Sequence, residues 1–365
     1  MLLFIDSFDH YDFAALTSKW SFGGSTGKND DSAVGAGFGR RSTNGFKYRS
    51  YGDTFASNGH TLEKALVTQG NTFICGFAFK CVTPLANSQN QSNSDSVSTV
   101  LAAVQNVGVT HVWIRLNTDG TVSALCGTTV LQTSLVGLTQ NVVTYVEVKV
   151  VIGAAGTGSV MVRFNGSPVL DISSVTTQVG ASSNWTSFYL RQRGGAGGNA
   201  EWHLDDFYLA DGFGDAPWNN LLGDCRCDCG VPTAEGALSD WAPLTGTNNA
   251  DMVKEVVADG DTSYVSSVTA GHMDTYVVPN VAVPGSPPTG VQVSMFVRKE
   301  AAGLCDLAVV ANLGGSPLAI HSKPVINPGT TYAFRTGIFQ TNPATGLAWT
   351  EAEFNAAEFG FVRAS

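Results

Sequence analysis

The stretch Val160-Met-Val-Arg-Phe-Asn-Gly-Ser-Pro-Val-Leu-Asp-Ile172 decides the fold class. Apolar residues at 160, 162 and 164 alternate with Met161 and Arg163, which is the two-residue period of a strand with one buried face. The pair Asn165-Gly166 then supplies the two positive φ angles that a type I′ turn requires. Because the chain returns through Val169-Leu-Asp-Ile172, the stretch predicts an antiparallel β-hairpin.

The same alternation recurs in both halves of the chain. It is found at 73–81, 111–116 and 145–150, and again at 291–297 and 332–339. Half-buried antiparallel strands of this kind are typical of sandwiches and barrels. We therefore predict an all-β protein.

The composition agrees with this fold class. The chain has 365 residues, of which 41 are Gly, 43% are hydrophobic and 14% are charged, whereas about 25% are charged in an ordinary soluble domain. Helical bundles, coiled coils and charge-rich disordered chains need more charged residues than this, and we exclude them.

Charge and cysteine content restrict the function classes. The net charge is −10, and no basic run is longer than a pair such as Arg40-Arg41. Since a nucleic-acid partner requires a concentrated basic face, we expect none. No stretch approaches 18 apolar residues, so we expect no membrane span, and the first residues lack the features of a secretory signal. Seven cysteines are too few for a disulfide scaffold of this size, which favours free thiols and synthesis in a reducing cytoplasm.

Breaker residues in Asp211-Gly-Phe-Gly-Asp-Ala-Pro-Trp218 mark a domain boundary. We predict a first domain over 1–212, a linker over 213–222 and a smaller β-domain over 223–365. Low-complexity sequence at 88–98 and 193–199 predicts exposed loops. The second domain contains one short predicted helix, with a capping box formed by Thr350 and Glu353 and with Gly360 ending the helix.

Residues 1–212 contain an ordered set of strand-like stretches. These are Asp6-Ser-Phe-Asp9 followed by Leu16 and Trp20, Thr118-Asp-Gly120, Tyr145-Val-Glu-Val-Lys149, Val162-Arg-Phe-Asn-Gly166 and Leu204-Asp-Asp-Phe-Tyr-Leu209. The set resembles a concanavalin A-like (laminin-G-like) jelly roll. The resemblance implies that the strand at 204–209 closes the fold beside the first strand.

The second half contains further matching stretches. They are Gly223-Asp-Cys-Arg-Cys227, Pro232-Thr-Ala-Glu-Gly236, Asp240-Trp-Ala-Pro-Leu-Thr-Gly246, Asp259-Gly-Asp-Thr-Ser-Tyr-Val-Ser-Ser267 and Trp349-Thr350. They resemble the C-terminal segment of a family of tailed-bacteriophage virion structural proteins.

This resemblance implies a non-enzymatic virion protein, made in the host cytoplasm, that lies in the tail or a tail fibre. Its expected partners are other virion proteins, tail or capsid subunits, and it is expected to be a homo-oligomer without a cofactor. A capsid decoration protein and a carbohydrate-binding adhesin for host surface glycans are the alternatives.

Glycoside hydrolysis requires two carboxylates about 5–10 Å apart, and jelly-roll glucanases carry theirs as Glu-x-Asp-x-x-Glu. The nearest match is Glu201 and Asp205, which are about 13 Å apart on one face of an extended strand. The apolar phase also slips after Leu204, which predicts a β-bulge at Asp205-Asp206. We therefore predict no catalytic residues.

The cluster Cys225-Arg-Cys-Asp-Cys229 places three thiols on one face of a predicted strand. Zinc sites favour Cys-x-x-Cys spacing with a second pair elsewhere. Packing of the thiols as small apolar groups is the favoured interpretation; a disulfide to another strand or subunit and a metal site stay open.

Two acidic turns offer oxygen ligands for calcium, Asp259-Gly-Asp261 and Asn29-Asp-Asp31. Each supplies fewer than the six to eight ligands that calcium takes. We favour ordinary turns and predict no metal.

Trp185, Tyr189 and Trp218 are the candidate contacts for a glycan or a protein partner, because aromatic rings offer large flat faces. Packing in the core or between the domains is the favoured alternative.

Overall fold

The structure is a computed structural model. It describes residues 1–23, 31–41, 43–50, 60–67, 69–85, 98–192, 200–315, 318–324 and 326–365. The predicted loop at 193–199, the predicted loop at 88–98 apart from Ser98, and the calcium candidates Asn29 and Asp30 lie outside these residues.

The chain divides into two compact units, Met1–Cys227 (unit 1) and Asp228–Ser365 (unit 2). The strands of unit 1 are β1 (Leu2–Asp6), β2 (Ser21–Gly23), β3 (Ala33–Ala36), β4 (Asn44–Ser50), β5 (His60–Ala65), β6 (Thr72–Cys81), β7 (Val100–Asn106), β8 (Val109–Leu116), β9 (Val122–Cys126), β10 (Thr129–Thr133), β11 (Thr144–Val151), β12 (Gly158–Phe164), β13 (Ser167–Val175), β14 (Ser187–Gln192) and β15 (Ala200–Asp211). A short 3-10 helix, Phe13–Ser18, follows β1.

These strands form two antiparallel sheets. Sheet A has the order β13-β12-β11-β6-β15-β4-β3, with β1 also paired to β15, and sheet B has the order β10-β9-β8-β7-β14-β5-β2. The predicted all-β, jelly-roll fold class is confirmed. The closing strand β15 pairs with the first strand, as the resemblance implied.

Aromatic side chains fill the space between the two sheets. Phe188 of sheet B stacks on Phe207 of sheet A with ring centroids 5.4 Å apart, and Trp20 meets Phe207 edge-on at 5.0 Å. Each such side chain contributes about 1.5–3 kcal/mol when fully buried.

Local turn chemistry is as the sequence predicts. Asn165 and Gly166 connect β12 to β13 with φ angles of 49° and 80°. The predicted bulge is also present, because the pairing of β15 with β6 shifts between Asp205 and Tyr208 and Asp206 has a φ of 50°.

Unit 2 is a smaller β-structure. Its elements are β16 (Ala234–Ser239), β17 (Ala242–Pro243), a 3-10 helix (Ala250–Met252), β18 (Val265–Ser266), β19 (Met273–Val277), β20 (Val291–Val297), β21 (Leu307–Asn312), β22 (Ile320–Ser322), β23 (Ala333–Phe339), α1 (Glu351–Ala356) and β24 (Glu358–Arg363). One sheet has the order β16-β19-β24-β21-β22, and β17-β18 and β20-β23 form two ribbons. The core includes Val309, Phe339, Trp349 and Phe359.

The capping box of α1 is confirmed, since Thr350 and Glu353 exchange hydrogen bonds between side chain and backbone. The prediction that Gly360 ends the helix is wrong. The backbone is already extended at Ala357, and Gly360 lies inside β24, where it pairs with Thr275 on one side and Val310 on the other.

The predicted linker at 213–222 is not a separate segment. The division between the units falls after Cys227, so 213–227 belongs to unit 1. Trp218 and Leu221 are only 4% and 8% exposed. Their burial holds this breaker-rich stretch against the rest of unit 1. The boundary between the units therefore lies after Cys227 and not at 212 as predicted.

None of the helices in the described ranges has the length and apolar character needed to cross a bilayer.

Candidate functional site

The outer face of sheet A carries polar side chains at its centre. Alternation along β11 turns Val146 and Val148 into the core and Glu147 outward. Tyr208 of β15 also faces outward, and its ring lies over Gly76 of β6, where an added Cβ would be 2.2 Å from Cε1 of the ring. Glu147 and Tyr208 are nevertheless 0% and 2% exposed, so the chain itself covers this face.

The cover is the segment 213–227, which we call the strap. Glu147 Oε1 accepts hydrogen bonds from the Tyr208 hydroxyl (2.8 Å) and from the backbone N–H of Gly223 (2.8 Å). The Tyr208 hydroxyl in turn accepts one from the N–H of Leu222 (3.1 Å). Burial, together with the charge of Glu147, raises the pKa of Tyr208 well above its ordinary value, so the hydroxyl stays protonated.

Lys149 extends the attachment of the strap by one outward position along β11. Its Nζ donates to the carbonyl of Asn219 (3.3 Å) and to Oδ1 of Asn220 (3.1 Å). The polar groups at the centre of this face therefore bind the chain's own strap.

The predicted bulge places two adjacent carboxylates at the end of the strap. Asp206 Oδ1 accepts from the N–H of Cys227 (2.8 Å), and its Oδ2 accepts from Arg41 (2.6 Å). Arg40 contacts Asp206 (3.4 Å), and it also binds the Asp224 side chain and the carbonyl of Cys225 (3.2 Å). Together these contacts clamp the last residues of unit 1.

Asp205 lies beside this clamp and is 3% exposed. It accepts from the N–H groups of Arg40 (2.8 Å) and Asp206 (2.7 Å). Burial, and next the charge of Asp206, raises the pKa of Asp205 to about 7, because a low-dielectric site disfavours a second negative charge.

Glu201 and His203 lie further along β15, in a network of ion pairs. Glu201 approaches His203 Nε2 (2.9 Å) and Arg49 Nε (3.3 Å), while Asp31 accepts from Lys47 (2.8 Å) and Arg49 (3.1 Å). Burial lowers the pKa of His203, although Glu201 opposes this shift. Glu201 thus contacts the Arg49 guanidinium and the His203 ring, and both oxygens of Asp205 accept from backbone N–H groups.

The predicted strand over 225–229 is absent, because none of these residues pairs with a neighbouring strand. Cys225 and Cys227 are half-buried, Cys229 is exposed, and none of the three forms a disulfide with another described residue. Burial raises the pKa of Cys225 to about 12 and that of Cys227 well above its usual value, so both behave as neutral groups. Across the described residues, no set of three or more His, Cys, Asp or Glu side chains is placed to hold a metal ion.

The acidic turn at 259–261 uses its carboxylates within the chain. Asp259 accepts from the N–H of Ser263 (3.1 Å), and Asp261 pairs with Arg298 (2.8 Å). The two carboxylates bind different partners within the chain, as expected for residues of an ordinary turn.

The three aromatic candidates are buried, so their ring faces are not open to a sugar. Trp185 is 0% exposed and donates to the carbonyl of Thr72 (2.9 Å). Tyr189 is 2% exposed and packs with Trp113 and Leu125 in an apolar cluster. Trp218 is a buried residue of the strap. The structure thus places all three where the packing alternative expected them, and their part in glycan contact loses its geometric basis.

Sequence reasoning missed the Glu147–Tyr208–strap contact. Glu147 alternates with inward valines, which is the pattern of a solvent-facing residue. The available signal was Trp218 with Leu221 and Leu222, because three large apolar residues are unusual in a free linker.

No protein-family model matches the chain, and no curated protein matches it. Solved structures of similar fold include an endo-β-1,4-glucuronan lyase from the fungus Trichoderma reesei, with 12% identity and a TM-score of 0.43 over 57% of this chain and 95% of that one. A cellulose-induced protein has 11% identity and a TM-score of 0.41 over 57% and 95% of the two chains. An alginate lyase has 12% identity and a TM-score of 0.38 over 57% and 96%.

Proposed function

We propose that this chain is a non-enzymatic structural protein of a tailed-bacteriophage virion, associated with the tail and adhering to neighbouring subunits. The virion assignment is supported by the sequence resemblance of the second half. The absence of catalysis is supported by the strap: the outward polar groups at the centre of sheet A, Glu147 and Tyr208, are buried and hydrogen-bonded to Leu222 and Gly223.

A ligand on this face would have to displace the strap. Each polar atom that the strap now satisfies would then need a new partner, since an unsatisfied buried group costs about 1–3 kcal/mol. An open catalytic groove has no such competitor. The filled face is therefore the observation that carries the non-enzymatic part of the proposal.

The virion assignment is tested with purified phage particles. We expect an antibody against the chain to detect it in the particles and to label their tails in electron micrographs. Label on the head supports the capsid-decoration alternative, and absence from particles overturns the proposal.

The non-enzymatic part is tested with purified protein. Alginate and glucuronan, the polymers named for two proteins of similar fold, are the substrates, and β-glucan is the third. We expect no new unsaturated or reducing ends. Product formation that disappears in Glu201→Gln or in Tyr208→Phe contradicts this part of the proposal. Binding of any of the polymers while the strap stays in place favours the adhesin alternative.

A further inference from the structure

The topology of unit 1 brings five loops to one end of the sandwich. They connect β5 to β6, β7 to β8, β9 to β10, β11 to β12 and β13 to β14. Thr186 joins three of these loops, because its hydroxyl accepts from the N–H of Val107 (3.0 Å) and its carbonyl accepts from the N–H of Leu66 (2.8 Å). We call this surface the neutral end (66–67, 69–71, 107–108, 127–128, 152–157 and 176–186).

The neutral end contains no Asp, Glu, Lys or Arg in any of its five loops. At the chain's own frequency of charged residues, 14%, loops of this combined length would carry several. The one histidine behind them, His111, is buried, and burial lowers its pKa. Its Nδ1 accepts from the N–H of Val179 (3.0 Å), so it also remains neutral while it holds the longest loop. The chain that leaves β15 at this end carries Asp215.

Apolar side chains project from this end into solvent. Val67 is 81% exposed and Val107 is 84% exposed, and both flank Thr186. Val109 is 43% exposed, and Phe213, which lies against Gly70, is 59% exposed. Isolated exposed apolar residues are common, but several on a surface without loop charges are typical of an interaction site.

Val107 also has an unfavourable backbone conformation. Val107 and Gly108 have φ angles of 46° and 80°, nearly those of Asn165 and Gly166 in the hairpin between β12 and β13. Asn is suited to the first position of such a turn, whereas a β-branched residue is a true outlier there. Because Val107 is exposed, packing within the chain does not compensate for the strain. The pairing of β7 with β8 and the Thr186 hydroxyl hold this conformation, and strained residues of this kind cluster at functional segments.

We propose that the neutral end is an interface at which two copies of this chain associate. The net charge of −10 opposes self-association, and this repulsion is smallest where the approaching surfaces carry few charges; at this end the Met1 ammonium is paired with Asp211, which leaves Asp215 as the exposed carboxylate near the loops. In a two-fold contact both copies use the same surface patch, so an uncharged apolar patch meets another uncharged apolar patch. This inference deepens the adhesive part of the proposed function, naming a second copy as the neighbour.

The test measures the dimer dissociation constant of the purified full chain by sedimentation velocity over a wide concentration range. We expect a reversible dimer whose affinity rises when salt is raised from a low value to about 0.15 M, because screening reduces the repulsion between acidic chains. Affinity that falls with salt indicates an ion-paired contact elsewhere and overturns the proposal. A monomer at all concentrations also overturns it.

Two pairs of variants locate the contact. Val107→Asp should weaken the dimer at least about tenfold, since it adds a negative charge to the apolar patch of both copies. Val107→Asn should weaken the dimer while raising the melting temperature by roughly 2–4 °C, because it relieves the strained turn. The matched controls are Leu135→Asp and Leu135→Asn, at a 99% exposed residue after β10, and they should leave the dimer unchanged.

Opposite effects of Val107→Asn on stability and association are not expected from a merely structural role. If the Leu135 variants dissociate the dimer and the Val107 variants do not, the interface is at the opposite end and the proposal is wrong. Because the assay uses purified protein, failure here is distinct from failure of the virion assignment, which rests on antibody labelling of particles.

Discussion

Tyr208→Phe tests how the strap is held on sheet A. The change removes one hydroxyl and two hydrogen bonds, the one donated to Glu147 Oε1 (2.8 Å) and the one accepted from the N–H of Leu222 (3.1 Å). A hydrogen bond to a charged group contributes about 1.5–3 kcal/mol and a neutral one about 0.5–1.5 kcal/mol. Glu147 is fully buried, so water does not replace the lost donor. We expect the free energy of unfolding of unit 1 to fall by about 2–4 kcal/mol.

For a unit of this size, that loss corresponds to a decrease of roughly 5–15 °C in the melting temperature, measured by near-ultraviolet circular dichroism. Limited proteolysis should also cut within 213–227 faster than in the wild type. The control is Tyr264→Phe in unit 2, whose hydroxyl makes no hydrogen bond with a described residue. An unchanged melting temperature together with unchanged cleavage of the strap refutes the reasoning.

Three further changes test the same face. The pKa of Asp205 is raised to about 7, so its carboxyl ionises at lower pH in the unfolded chain than in the folded one, and stability falls as the pH rises from about 4 to about 7. In denaturant titrations, Asp205→Asn should therefore have a higher free energy of unfolding than the wild type at about pH 8 but not at about pH 4. An equal increase at both pH values contradicts the raised pKa. Gly76→Ala places a Cβ 2.2 Å from the Tyr208 ring and should destabilise unit 1 by about 1–3 kcal/mol, whereas a neutral result in a urea titration would show that the ring is free to move. Cys227→Val should leave the free energy of unfolding nearly unchanged. Cys227→Asp should lower it by several kcal/mol, because the new carboxylate joins Asp205 and Asp206 in a buried site. A wild-type melting temperature that a chelator lowers would instead favour the metal alternative, and an oligomer that reductant dissolves on a gel would favour the disulfide alternative.

The features that sequence alone determined are those decided by neighbouring residues. Apolar alternation predicts the strands because side chains of a strand point to opposite faces every second residue. Asn165-Gly166 predicts its turn because few other pairs adopt two positive φ angles, and the slipped phase at Asp205-Asp206 predicts the bulge. The capping box is also local, since Thr350 and Glu353 satisfy each other's backbone groups.

The features that only the tertiary structure decided depend on residues distant in the chain. Gly360 stops no helix because β19 and β21 recruit it into a strand. Glu147 has the pattern of a solvent-facing residue, yet a strap more than 60 positions later buries it, and Tyr189 is buried on a strand whose pattern also fits an exposed ring. Val107-Gly108 gives no turn signal in the sequence, and the pairing of β7 with β8 imposes the positive φ on a residue that disfavours it. Alternation specifies which side of a strand a residue faces, but only the packing of distant segments decides whether that side meets water.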